Sequence, residues 1–169
     1  GTNPLETLPP EIGDLKNLTR LYLYKTKLTH LPPSISKLKK LDLLQLAYTP
    51  LSEFPVELCQ LNELQLLALN NTNIKEIPAC ISQLSKLKEL RLHHTNIEAL
   101  PQEFEQLQNI EILTLDYSLL DPIPDCLKQF PALKRLIIFL DNNQQAATNV
   151  KINFEKLYPE TDIIYVNVP

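Results

Sequence analysis

Pro9, Pro32, Pro55, Pro78, Pro101 and Pro124 stand 23 residues apart without a slip. Around each proline the same apolar skeleton returns. The block from Leu8 reads LPPEIGDLKNLTRLYLYKTKLTH and the block from Leu31 reads LPPSISKLKKLDLLQLAYTPLSE; further blocks start at Phe54, Ile77, Leu100 and Ile123. A short fixed period with LxxLxL inside it predicts a solenoid, because one such unit cannot bury its apolar face alone and must stack on its neighbours.

Within one unit, Leu18, Leu21 and Leu23 predict a strand with one buried face: Leu21–Tyr22–Leu23–Tyr24 alternates apolar and outward residues. Thr26 follows, and Leu28 returns to the core. Leu31–Pro32–Pro33 closes the turn, and Ile35 and Leu38 at three-residue spacing predict a short helical or 3₁₀ segment. Proline suits the first turn of such a segment because its missing N–H would be unpaired there in any case. Stacked units then give a parallel sheet on the concave side and helical segments on the convex side. After each strand, Asn3, Thr26, Thr49, Thr72, Thr95, Ser118 and Asp141 all carry a side-chain oxygen. These are expected to bond backbone groups left between units.

The pattern LxxLxLxxTxLxxLPxxIxxLxx resembles the leucine-rich repeat family in its 23-residue class, from Asn3 to Asp141. The resemblance implies an α/β solenoid, a right-handed horseshoe with its parallel sheet on the concave face. Similar arrays occur in bacterial repeat proteins including secreted effectors, in plant intracellular immune receptors and in animal scaffolds. The chain departs from the family by placing threonine or serine where asparagine is usual.

The reading is one domain over 1–169. It comprises a partial repeat at 1–7, six repeats over 8–145 and a C-terminal capping helix and strand over 146–169. Val150, Phe154, Leu157 and Tyr158 form one helical stripe ended by Pro159. Aligning Phe130–Pro131 with Tyr158–Pro159 places Ile164 and Val166 where Leu136 and Ile138 sit. The first repeat lacks its strand, so the chain is expected to be a fragment of a longer protein.

Composition excludes several classes. Two glycines, Gly1 and Gly13, cannot build a phosphate-cradling loop, so no nucleotide cofactor is expected. A formal charge of −4 argues against nucleic acid or an anionic membrane surface. No apolar run approaches the ~18 residues of a membrane span. Cys80 and Cys126 share a repeat position two units apart, roughly 10 Å at the spacing of parallel strands and beyond disulfide reach. Cys59 occupies a different position. The three cysteines are therefore expected as small convex-side residues of a fold without disulfides, in a reducing, cytoplasmic compartment. For a bacterial effector, that compartment would be a host's cytoplasm.

Outward strand positions are free of packing constraints, and they carry the candidate partner-binding residues: Arg20, Tyr22, Tyr24, Leu43, Tyr48, Leu66, Arg91, His93, Ile112, Asp116 and Tyr117. Tyrosine with arginine is the composition of interface hot spots. Leu43, Leu66 and Ile112 align in one column and add apolar area. Strand six, with Ile137, Phe139 and Leu140, is apolar on both faces, from a partner site or from internal cover. His93 and His94 are expected to point apart on a strand, with His93 near Asn70 and Asp116. No third metal ligand and no nucleophile–base pair can be built there. The expected function is non-enzymatic recognition of a protein partner on the concave sheet. The alternatives are the substrate-recognition part of a larger effector enzyme and an adhesive surface array.

Overall fold

The structure, a computed structural model, describes residues 4–120, 122–140 and 153–167. Seven strands form one parallel sheet in chain order: β1 (Arg20–Tyr22), β2 (Leu43–Gln45), β3 (Leu66–Ala68), β4 (Glu89–Arg91), β5 (Ile112–Asp116), β6 (Arg135–Leu140) and β7 (Asp162–Asn167). From β1 to β6 the register advances by the repeat length, Arg20 opposite Leu43, Leu43 opposite Leu66 and so on. Leu44, Leu67, Leu90, Leu113 and Leu136 therefore stack into one buried row. The crossover after each of the first four strands carries a five-residue 3₁₀ helix, such as Pro33–Lys37 or Ala79–Gln83, entered from an extended proline. Ile35, Leu58, Ile81 and Phe104 project from these helices into the same core and are fully buried. The leucines and isoleucines of the period thus close a continuous core between sheet and helices.

Thr26, Thr49 and Thr72 are buried and Thr95 half-buried, but all four bond within their own unit. Thr26, Thr49, Thr72 and Thr95 each donate Oγ1–H to the carbonyl three residues earlier, at 2.7–2.9 Å. The expected bonding between units is instead done by backbone. Lys27 N–H donates to Leu5 O, Asn73 N–H to Leu51 O and Asn96 N–H to Ile74 O. A hydroxyl is too short to cross to the next rung, yet it reaches back to its own turn.

Two further expectations are corrected. Cys59 and Cys80 are joined in a disulfide, with Cα atoms 5.7 Å apart. Cys59 stands four residues after its proline and Cys80 two residues after the next, and neighbouring 3₁₀ helices meet on that diagonal. Comparing cysteines at equal repeat positions overlooks this contact. Cys126 is free and buried.

The second correction concerns β7. It pairs with β6 so that Leu136 faces Ile163 and Ile138 faces Tyr165. Ile163 and Tyr165 therefore turn toward the core, while Ile164 and Val166 lie on the open sheet face. The register is one residue off the expected alignment, which exchanges the two faces. The capping stripe holds at Phe154 and Tyr158, both buried, whereas Leu157 is exposed; Val150 lies outside the described residues. The Tyr158 hydroxyl donates to Leu127 O and accepts from Phe130 N–H, pinning the cap to the sixth unit.

Candidate interaction face

The sheet face carries two aromatic clusters separated by small residues. Each cluster is shaped by the backbone just beyond a short strand. Lys25, Tyr48, Asn71 and His94, spaced by the repeat, all have φ between 54° and 58°. This left-handed conformation turns the chain, so the residue at that position comes to the same side as its predecessor instead of the opposite one.

At the N-terminal end this brings Tyr24, Lys25 and Tyr48 together. The two rings meet edge to face with centroids 5.3 Å apart. The Lys25 ammonium lies 5.0 Å from the Tyr24 centroid and 5.3 Å from that of Tyr48. A hydrogen bond with Tyr24, then the charge of that phenol, raises the lysine's pKa. Tyr22, Tyr24 and Tyr48 are 57%, 43% and 47% exposed, so a large aromatic surface faces outward here. Arg20 is exposed beside Asp42, with Nε 3.9 Å from the carboxylate. Leu43 and Leu66, opposite one another in register, are half-buried and extend the apolar area.

Beyond Tyr48 the face is low. Ala47, Ala68 and Asn70 occupy outward columns but are nearly covered. The second cluster then rises. His93 stacks on Phe139 at 4.0 Å and 7°, and His94 meets the same ring edge-on at 4.9 Å. The two imidazoles are 5.2 Å apart. They do not diverge, because β4 ends at Arg91 and His94 is left-handed.

Asp116 meets His94. The Asp116 carboxylate accepts the His94 backbone N–H at 2.7 Å, and one oxygen lies 3.6 Å from His94 Nδ1. His93 Nδ1 is bonded to Thr114 Oγ1 at 2.6 Å. Burial, then the nearby His94 and Arg91 charges, lower the His93 pKa to about 4, so the ring is neutral at neutral pH. Arg91 is held by its neighbour Glu89, Nε to Oε1 at 2.6 Å.

Of the expected site residues, the structure gathers Tyr22, Tyr24 and Tyr48 at one end with Arg20 and Leu43, and Arg91, His93 and Asp116 toward the other. Ile112 is half-buried in the column shared with Leu66. Tyr117 leaves the set. It is 8% exposed and belongs to the core, in a 3₁₀ helix (Tyr117–Leu119) where the earlier units have a left-handed turn. Leu119, apolar at a position held elsewhere by Lys27, Pro50, Asn73 and Asn96, is buried with it. Lys25 and His94 contribute to the face although strand alternation does not select them, and Phe139, outward by alternation in β6, joins them. The signal for Lys25 and His94 was their shared column with Asn71, since asparagine is a residue that tolerates the left-handed region. Among the described residues no three His, Cys, Asp or Glu side chains converge as metal ligands.

Comparison with known proteins places this geometry in context. A family model described as a leucine-rich repeat region matches residues 41–151, and one described as a leucine rich repeat matches residues 17–38. Comparison with curated proteins gave no match. Among solved structures, the chain is similar to a leucine-rich repeat protein of Leptospira interrogans, at 27% identity and a TM-score of 0.62, covering 96% of this chain and 52% of that one. It is similar to the plant peptide hormone receptor RGFR1, solved in complex with RGF2, at 25% identity and a TM-score of 0.70, covering 96% and 27%. It is also similar to the leucine-rich repeat domain of the type III effector XopL, at 27% identity and a TM-score of 0.69, covering 80% and 49%. The chain thus spans about half, or less, of the length of these proteins.

Proposed function

The chain belongs to the leucine-rich repeat family, and we propose that it is a non-catalytic recognition module whose sheet face docks a protein partner. The observation that carries this reading is the exposure of Tyr22, Tyr24 and Tyr48 around Lys25, on positions that the core leaves free. Large, stiff aromatic side chains give contact area at little entropic cost, and they dominate binding energies when a partner desolvates them. Leu43 and Leu66 continue that surface, while Arg20, Arg91, Ile112, His93 and Asp116 supply its polar and apolar surroundings. The plant peptide hormone receptor RGFR1, to which this chain is similar in fold, was solved in complex with RGF2, which supports a polypeptide as the ligand class.

Likeness to the repeat domain of a type III effector favours a second reading, in which the module selects substrates for an enzyme encoded with it. Both readings use the same face. Affinity capture from candidate lysates, with the wild type beside a Tyr22→Ala/Tyr24→Ala/Tyr48→Ala variant, tests the site. Bound partners are expected to fall at least tenfold in the variant at an unchanged melting midpoint. Equal retention would move the site elsewhere.

A further inference from the structure

The Cys59–Cys80 bridge joins the third and fourth units on the side opposite the sheet. It ties the 3₁₀ helix Val56–Gln60 to Ala79–Gln83. The diagonal it uses recurs along the array. Gly13 and Ser34 meet on it between the first two units, where a Cβ on Gly13 would lie 2.6 Å from Ser34 O. Glu105 and Cys126 share it between the fifth and sixth, and the Glu105 charge is felt by the Cys126 thiol. Residues 21 apart on neighbouring helices therefore touch as a consequence of the repeat, and the chain places two cysteines on one such contact. A Cα separation of 5.7 Å lies within the range that a disulfide spans.

We propose that Cys59 and Cys80 form a covalent clasp closed by a thiol–disulfide oxidant, and that the bridged chain, working in an oxidising compartment, is the functional form. The premise of a cytoplasmic, reducing location was that no two cysteines could reach one another, and this pair removes it.

The exposures of the two residues set the order of exchange. Cys59 is buried and Cys80 half-buried, so Cys80 is the more accessible residue and the first to react. The Cys80 thiolate attacks an oxidant of the glutathione disulfide class, expelling one thiolate and leaving a mixed disulfide. The Cys59 thiolate then attacks Cys80 Sγ and expels the second. Two protein thiols are oxidised, one disulfide is reduced to two thiols, and the two protons pass to the released thiolates or to solvent. A dithiol reductant reverses this by attack at Cys80. Cys126 does not compete: it is buried two units further on, and burial, then the Glu105 and Asp125 charges, push its thiol pKa up.

The full chain is equilibrated in a glutathione buffer poised as in a secretory compartment, then alkylated under denaturing conditions and weighed. One label, on Cys126, is expected, rising to three after reduction; three labels before reduction would overturn the proposal. Reductant should also lower the wild-type melting midpoint by about 5–10 °C, since the bridge closes a loop of some twenty residues in the unfolded chain. Cys126→Ser should keep that shift and Cys80→Ser should lose it. A midpoint indifferent to reductant in the wild type, or a shift that persists in Cys80→Ser, would contradict it.

Discussion

At the residue scale, the repeat is held by small polar details at fixed positions. Thr72 is 4% exposed and its hydroxyl donates to Leu69 O at 2.7 Å. Thr72→Val keeps the shape and removes that bond, leaving a buried carbonyl less well satisfied. A loss of about 1–3 kcal/mol is expected in denaturant unfolding. An unchanged midpoint would show that backbone alone satisfies the turn.

His93 makes a different contribution. Its pKa is lowered from 6.5 to about 4, chiefly by burial, so the folded chain favours the neutral ring while the unfolded chain protonates near 6.5. The resulting stability is present above pH 6.5 and is lost as pH falls from 6.5 toward 4. Across that window the wild type should lose more of its melting midpoint than His93→Gln does. Parallel profiles would remove the assignment.

At the element scale, the period made the strand of each unit and the 3₁₀ segment after each repeat proline legible, because a rung that must stack in register leaves its apolar residues at identical spacings; the extra 3₁₀ helix Tyr117–Leu119 breaks that period. Three features escaped that logic for separable reasons. The diagonal between neighbouring helices is a contact of 21 residues, not 23, so equal repeat positions do not mark Cys59 and Cys80 as neighbours. The left-handed turns at Lys25 and His94 contain no glycine, so strand alternation runs on one residue past its true end. β7 follows a spacer of different length, and with Ile163, Ile164, Tyr165 and Val166 all apolar the pattern does not select one register.

The first 3₁₀ helix (Pro10–Asp14) offers a test of helix-to-helix closeness. A Cβ at Gly13 would come within 2.6 Å of Ser34 O and 2.8 Å of Ser34 Cβ, with backbone on one side and no slack in a five-residue helix. Gly13→Ala should therefore destabilise the first unit by about 1–3 kcal/mol, despite alanine's better helix propensity. Hydrogen exchange should show the loss concentrated between Pro10 and Lys37. A neutral substitution would mean that the helices part easily.

At the scale of the whole molecule, each unit touches mainly the next, and the constraints of folding are spent on one face of the sheet. The other face is left to chemistry. Its two ends differ: exposed tyrosines around a lysine at β1 and β2, and histidines closed over by Phe139 near β4 to β6. The second cluster satisfies itself, with Asp116 bonded to backbone and His93 bonded to Thr114. The first presents its rings to solvent, which is why docking is assigned there. Tyrosine nitration read by mass spectrometry, with and without a captured protein partner, tests that assignment most directly. Tyr22, Tyr24 and Tyr48 should be modified in the free chain and protected in the complex, while buried Tyr117 and Tyr158 stay slow in both. Protection that spares all three exposed tyrosines would contradict the account.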